Sequence, residues 1–116
     1  MSALTSHVLD TALGQPARNL ALRLDVQDSD AVGGAWRTIA ASVTDGDGRV
    51  GDVLGGQALA TGTYRITFET GAYFRATGRP VFYPRIEVQF VVTVPAEHHH
   101  IPLLLSPFGY STYRGS

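Results

Sequence analysis

Apolar and polar positions alternate along much of the chain. In Leu20-Ala21-Leu22-Arg23-Leu24-Asp25-Val26, the residues Leu20, Leu22, Leu24 and Val26 fall on one face, the period-two pattern of a half-buried strand. Thr63 to Glu69 alternates in the same way, with Tyr64, Ile66 and Phe68 inward. Leu4 to Asp10, Trp36 to Val43, the β-branched run Ile86 to Val94 and the apolar run Ile101 to Leu105 read as further strands. Turn chemistry separates them at Gly14-Gln15-Pro16, at Asp45-Gly46-Asp47-Gly48, and in the hairpin-type connection Asp28 to Gly34. Thr70 to Thr77 reads as a short helix, capped by Thr70 and closed by Gly78. Pro80 and Pro84 hold the following segment to loop or edge structure. Pro107 and Gly109 turn the tail back as a last antiparallel strand. The pattern predicts an all-β, two-sheet sandwich of about eight strands with one short helix. No repeat or linker interrupts residues 1–116, so a single domain is expected.

Composition narrows what such a domain does. Of 116 residues, 44% are hydrophobic and 16% charged, which is ordinary globular material. The absence of cysteine removes disulfides, thiolate metal sites and cysteine nucleophiles. All nine basic residues are arginines, scattered from Arg18 to Arg114 in a chain of net charge -1. Nucleic acid, which selects clustered basic faces, is not an expected partner. No stretch is apolar enough to span a bilayer, and neither end carries a secretory or peroxisomal address. A cytoplasmic location without membrane contact is the expectation.

All four histidines lie at two places, His7 and His98-His99-His100. Taken singly, a histidine is most often a surface residue, but strand parity links these. If Val8 enters the core, His7 and Leu9 point outward; if Ile101, Leu103 and Leu105 enter it, His98, His100 and Pro102 point outward. His99 has core parity, at what reads as the frayed start of its strand. One outward face would then carry His7, His98 and His100. Zinc is one use of such a face, but no carboxylate pattern accompanies the histidines, and no metal is expected. Arg49 follows the Asp45 to Gly48 turn. Its plain reading is a solvated side chain; held at a sheet edge, its planar fork suits carbonyl and oxyanion groups. The tail carboxylate at Ser116 is a candidate partner for Arg114 or Arg49.

The opening Ser6-His7-Val8-Leu9-Asp10 with Gly14-Gln15-Pro16-Ala17 resembles that of the transthyretin-related proteins. The closing stretch His98 to Ser116 resembles the signature of their enzymatic branch, the 5-hydroxyisourate hydrolases, and Asp47-Gly48-Arg49 fits as well. The resemblance implies a transthyretin-like sandwich and a homotetramer, a dimer of dimers, whose outward terminal strands line a channel with active sites. It implies 5-hydroxyisourate as the small-molecule substrate and no cofactor. It matches His7, Arg49 and His100 to the catalytic set. Leu9, Pro102 and Leu104 would wall the pocket, and Ser111, Tyr113, Arg114 and Ser116 would complete it. The hormone-carrying branch lacks this set and this ending. A small-ligand carrier is nonetheless the alternative, and an adhesive sandwich with no site a further one. His99 stands where the family usually has Tyr, so a packing or edge effect is expected there.

Overall fold

The computed structural model describes residues 2–28 and 33–116, so the centre of the Asp28 to Gly34 connection lies outside the described residues. The elements are β1 (Leu4–Asp10), β2 (Gln15–Pro16), β3 (Ala21–Gln27), β4 (Trp36–Val43), β5 (Arg49–Val50), β6 (Gly62–Phe68), α1 (Thr70–Ala76), β7 (Ile86–Val92), β8 (His99–Ser106) and β9 (Gly109–Thr112). One sheet has the order β2-β1-β8-β9, with β5 also on β1; the other has the order β4-β3-β6-β7. This is the expected sandwich. Of the nine strands among the described residues, two are only two residues long: β2 lies inside a stretch read as a turn, and β5 directly follows one.

The core lies between the sheets. β1 and β8 contribute Leu4, Val8, Ile101, Leu103 and Leu105; β3 and β6 contribute Leu22, Leu24, Tyr64, Ile66 and Phe68; α1 adds Phe74. Burying a side chain of this size is worth about 1.5–3 kcal/mol, so the alternation dictates which face of each strand turns inward. β2 and β5 use the free edge of β1. Between them, the Val8 amide donates to the Gly48 carbonyl (2.8 Å) and the Ala17 amide to the Val8 carbonyl (3.0 Å). Gly48 adopts φ +72°, and a Cβ there would stand 2.6 Å from the Val8 carbonyl oxygen, so only glycine suits this junction.

Three local readings are corrected. The β3 alternation does not run through to Val26: a register shift after Leu24 buries Asp25 and leaves Val26 half-exposed. Asp25 tolerates this because Thr38 Oγ1 (2.7 Å) and Arg65 (2.7 and 3.0 Å) donate to its carboxylate. Thr70 does not cap α1. The cap residue is Glu69, without a side-chain cap bond, and the Thr70 hydroxyl donates to the Tyr83 carbonyl (2.8 Å). Gly78 does close the helix: its amide reaches the Arg75 carbonyl while that of Arg79 reaches Phe74, a Schellman arrangement. Lastly, β7 stops at Val92. No helix among the described residues is long and apolar enough to cross a membrane.

Asp10 ends β1 on its core side, fully buried. Its carboxylate accepts from Tyr73 Oη (2.7 Å) and forms an ion pair with Arg79, whose guanidinium covers the Phe74 ring. Burial alone would raise its pKa. Hydrogen bonds from Arg79, Tyr73 and the Leu13 amide outweigh burial and hold the carboxyl below its ordinary 3.8. A lowered folded-state pKa contributes stability above the unfolded-state value and loses it as pH falls through the folded one. Arg79→Ala should therefore cost about 3 kcal/mol in urea unfolding at neutral pH and fixed protein concentration, since it strands a buried charge. The deficit should shrink as pH falls into the acid range, where the variant's unpaired carboxyl, raised by burial, takes up its proton before the wild-type one does.

Candidate functional site

The outer face of the β1–β8 pair gathers His7, His98 and His100. The two strands run parallel through seven aligned pairs, from Leu4↔His99 to Asp10↔Leu105. Alternation then sorts the side chains. Leu4, Ser6, Val8 and Asp10 lie inward with His99, Ile101, Leu103 and Leu105, and all eight are buried. Thr5, His7 and Leu9 lie outward with His100, Pro102 and Leu104. Register lays this outer face out in rows. Thr5 stands beside His100. His7 stands between Arg49 on β5 and Pro102 on β8. Leu9 stands beside Leu104, which faces Ser111 on β9. His7 and His100 are diagonal neighbours, with backbones about 7–8 Å apart by strand spacing.

The tail folds onto this face because of Pro102. β9 pairs with β8 from Ser106↔Gly109 to Leu103↔Thr112, and the same register resumes at a bridge between His100 and Gly115. Pro102 has no N–H to offer, so the ladder breaks opposite Tyr113, and the Thr112 hydroxyl donates to the Pro102 carbonyl instead (2.7 Å). The Gly115 amide donates to the His100 carbonyl (2.8 Å). A Cβ on Gly115 would run into the His100 ring. Ser116 is thereby carried into an open groove of about 590 Å³ that Thr5, Arg49, His98 and His100 also line.

Each polar group in the groove has a defined hold. The Arg49 amide donates to Asp45 Oδ1 (2.9 Å), as does the Asp47 amide (2.9 Å), which fixes the turn that delivers Arg49. These two bonds, that to Arg49 first, hold the exposed Asp45 carboxyl below its ordinary pKa. The Arg49 guanidinium has no carboxylate partner among the described residues. His7 sits at the groove's border, with Nε2 3.0 Å from the Asp47 carbonyl oxygen. That oxygen only accepts, so Nε2 carries the proton and a neutral His7 has its lone pair on Nδ1. His98 places Nδ1 at 2.8 Å from the Ser2 carbonyl and Nε2 at 3.0 Å from Thr5 Oγ1. The same hydroxyl lies 2.8 Å from His100 Nδ1, and the two rings stack 6.5 Å apart. Burial, then the charges of Arg49, His98 and His7, push the His100 pKa below its ordinary 6.5. An unprotonated imidazole therefore persists at neutral pH beside a fixed cation. Such a pair can take a proton from water while stabilising negative charge on a carbonyl oxygen.

Arg49, His100 and Ser116 meet in this groove; His7 borders it, and Leu9, Pro102, Leu104 and Ser111 pave the same face beyond. Tyr113 and Arg114 line a different cavity, of about 220 Å³, between β7 and β9. Arg114 pairs with Glu97 (3.0 Å) instead of the terminal carboxylate. His99 is not at a frayed end: it is 4% exposed, its amide donates to the Ala3 carbonyl (2.8 Å) and its Nδ1 to the Glu97 carbonyl (2.9 Å). Sequence reasoning missed Thr5, although its outward parity with His7 was available, and Asp45, whose position before Asp47 and Arg49 marks an Asx turn. Among the described residues, no group of three or more His, Cys, Asp or Glu is arranged to hold a metal ion.

Residues 4–115 match the model of the HIUase/Transthyretin family. Over 115 residues the chain is 44% identical to a 5-hydroxyisourate hydrolase of Mus musculus, covering 99% of this chain and 96% of that one. Its fold is similar to the structure of Klebsiella pneumoniae 5-hydroxyisourate hydrolase, with TM-score 0.84, 36% identity and full coverage of both chains. It is also similar to sea bream transthyretin in complex with thyroxine, with TM-score 0.87, 35% identity and coverage of 97% and 94%. Backbone likeness thus extends to a hydrolase and to a thyroxine-binding protein alike, and the side chains of the outer face must separate the two activities.

The electrostatics of the groove can be read directly. In an NMR titration the His100 ring should change charge at a midpoint below pH 6.5. Arg49→Ala should move that midpoint upward, because removing a neighbouring cation favours the protonated ring. A midpoint at or above 6.5 that ignores the substitution would contradict this reading.

Proposed function

The chain belongs to the HIUase/Transthyretin family, and from that premise we propose that it hydrolyses 5-hydroxyisourate to 2-oxo-4-hydroxy-4-carboxy-5-ureidoimidazoline, a step in urate degradation. One observation carries the reading: His7, Arg49 and His100 share one outer sheet face, in a chain whose relatives bear that enzyme's name.

The substrate is a small, planar, oxidised purine, and the reaction opens a lactam bond of its six-membered ring. A water oxygen bonds to the lactam carbonyl carbon as one water proton passes to an imidazole of the His7/His100 pair. The C–N bond then breaks, its electrons go to nitrogen, and the imidazole returns the proton there. Arg49, permanently charged, holds the carbonyl oxygen and its developing negative charge. Leu9, Pro102 and Leu104 supply apolar walls, and Ser111 and Ser116 bound the substrate from the tail, while Tyr113 and Arg114 stay in the separate cavity beside β7. A carrier of apolar ligands has no use for two imidazoles and a guanidinium on one sheet face.

A homotetramer, a dimer of dimers, suits this chemistry. Each sheet ends in an unpaired edge strand, β7 and β9, and Val91 and Phe108 are 62% and 72% exposed. Such edges invite pairing with a second copy. The groove is open in one chain, and a second copy set across it would exclude water from the charged groups, which strengthens their interactions.

Added to freshly oxidised urate, the protein should speed the loss of 5-hydroxyisourate absorbance well beyond the spontaneous rate; an unchanged decay would sink the reading. His100→Ala should lower turnover by on the order of 10²–10⁴, and Arg49→Ala by on the order of 10²–10³, with the fold retained. The acid limb of kcat/KM should fall below pH 6.5, because the lowered His100 pKa keeps the base form available to lower pH.

A further inference from the structure

The chain of hydrogen bonds behind His100 has only one neutral arrangement. The Ser2 carbonyl oxygen can only accept, so His98 Nδ1 (2.8 Å away) carries a proton. A neutral His98 then has its lone pair on Nε2, and among the described residues the donor there is the Thr5 hydroxyl, at 3.0 Å. That hydroxyl has a single proton. Once it is given to His98, Thr5 Oγ1 must accept from its other neighbour, His100 Nδ1, at 2.8 Å. The opposite polarity would require His98 to hold protons on both nitrogens, placing a further cation on a groove that already holds the Arg49 guanidinium. The backbone anchors this polarity at its far end, because a carbonyl cannot reverse its role.

We propose that Thr5 and His98 are positioning residues that hold His100 in its Nδ1–H tautomer, so that Nε2, across the ring from Thr5, keeps its lone pair and is the atom that takes the proton from water. The proposal rests on the hydrolase reading for its chemistry but on hydrogen-bond polarity alone for the tautomer. It gives His98, two residues before His100 and just ahead of β8, a purpose distinct from metal binding, since both its ring nitrogens are engaged. It also divides the labour between His100 in the groove and His7 at its border. His7 donates through Nε2 to the Asp47 carbonyl (3.0 Å), so its proton is committed to the backbone at the turn that carries Arg49. His100 donates through Nδ1 to a hydroxyl whose own proton is committed elsewhere. Gly115 leaves the space that the His100 ring occupies, since a Cβ there would strike it. An imidazole held in one rotamer and one tautomer starts each cycle with the lone pair in the same place, which is what a positioned base contributes.

The test is 15N-histidine NMR on the ligand-free protein, paired with steady-state kinetics. In the wild-type protein, two-bond couplings should report His100 protonated on Nδ1 and bare on Nε2 above its titration midpoint. Thr5→Val keeps the side-chain shape but removes the hydroxyl; His100 should lose this tautomer preference, and kcat should fall on the order of 10–10²-fold with KM little changed. Thr5→Ser, which keeps the hydroxyl, should restore the tautomer and most of kcat. His98→Ala frees the Thr5 proton to turn toward His100 Nδ1, and should shift His100 toward the Nε2–H form. A wild-type His100 protonated on Nε2, or a folded Thr5→Val protein with wild-type tautomer and kcat, would overturn the proposal. The tautomer is read without substrate, so a wrong tautomer defeats the relay even in an active enzyme, and a missing activity defeats the hydrolase reading without altering the spectrum.

Discussion

Parallel pairing between the two ends of the chain is the constraint on which the site depends. β1 begins at Leu4 and β8 at His99, and seven aligned pairs join them. Ser6 and the Ile101 carbonyl add a buried side-chain bond across the seam (2.7 Å). The register is enforced by the core, since Leu4, Val8, Ile101, Leu103 and Leu105 all lose their solvent exposure on one side. A slip of one residue would exchange the faces: His100 would enter the core and Ile101 would leave it. The positions of the histidines are therefore a by-product of packing energetics. Hydrophobic burial on the inner face holds the outer face rigid, and that rigidity brings Thr5 and His100 within hydrogen-bond reach of one another (2.8 Å) with His7 on the same face.

The outer face converts that placement into chemistry by controlling protons. Backbone carbonyls at Ser2 and Asp47 each accept a hydrogen bond, from His98 and His7 respectively, and burial beside Arg49 disfavours a charged His100. The positive charge on the groove is thus concentrated on Arg49, whose turn is tied by Asp45. The tail closes the arrangement. Pro102 breaks the β8–β9 ladder and lets the chain return at Gly115, the one residue type that fits against the His100 ring. Function follows from these side chains and not from the sandwich, which a thyroxine-binding relative shares at least as closely as a hydrolase does.

Much of this was legible in the alternation of Leu4 to Asp10 and Ile101 to Leu105, because a strand with one buried face leaves a period-two record. Parity alone sent His7 and His100 outward. It could not say that β1 and β8 are neighbours, since contacts spanning some ninety-five residues leave no local trace; the resemblance supplied that. Asp25 was misread because a charged residue looks like an outward position until its partners, Arg65 and Thr38, are known to fold over it. Thr70 looked like a cap because its type suits one, yet the Tyr83 carbonyl claims its hydroxyl. Thr5 was passed over for a similar reason: a threonine facing outward reads as solvated, and only the three-dimensional meeting of His98 and His100 gives it a task.

The central claim is that the outer face of β1 and β8 is where the substrate binds and reacts. A crystal structure of the protein with a planar, non-hydrolysable analogue of an oxidised purine tests it most directly. The account requires the analogue on that face, with a carbonyl oxygen within hydrogen-bond reach of the Arg49 guanidinium and His100 Nε2 directed at the neighbouring carbon or its water. An analogue seated in the cavity between β7 and β9, with Arg49 and His100 untouched, would contradict it.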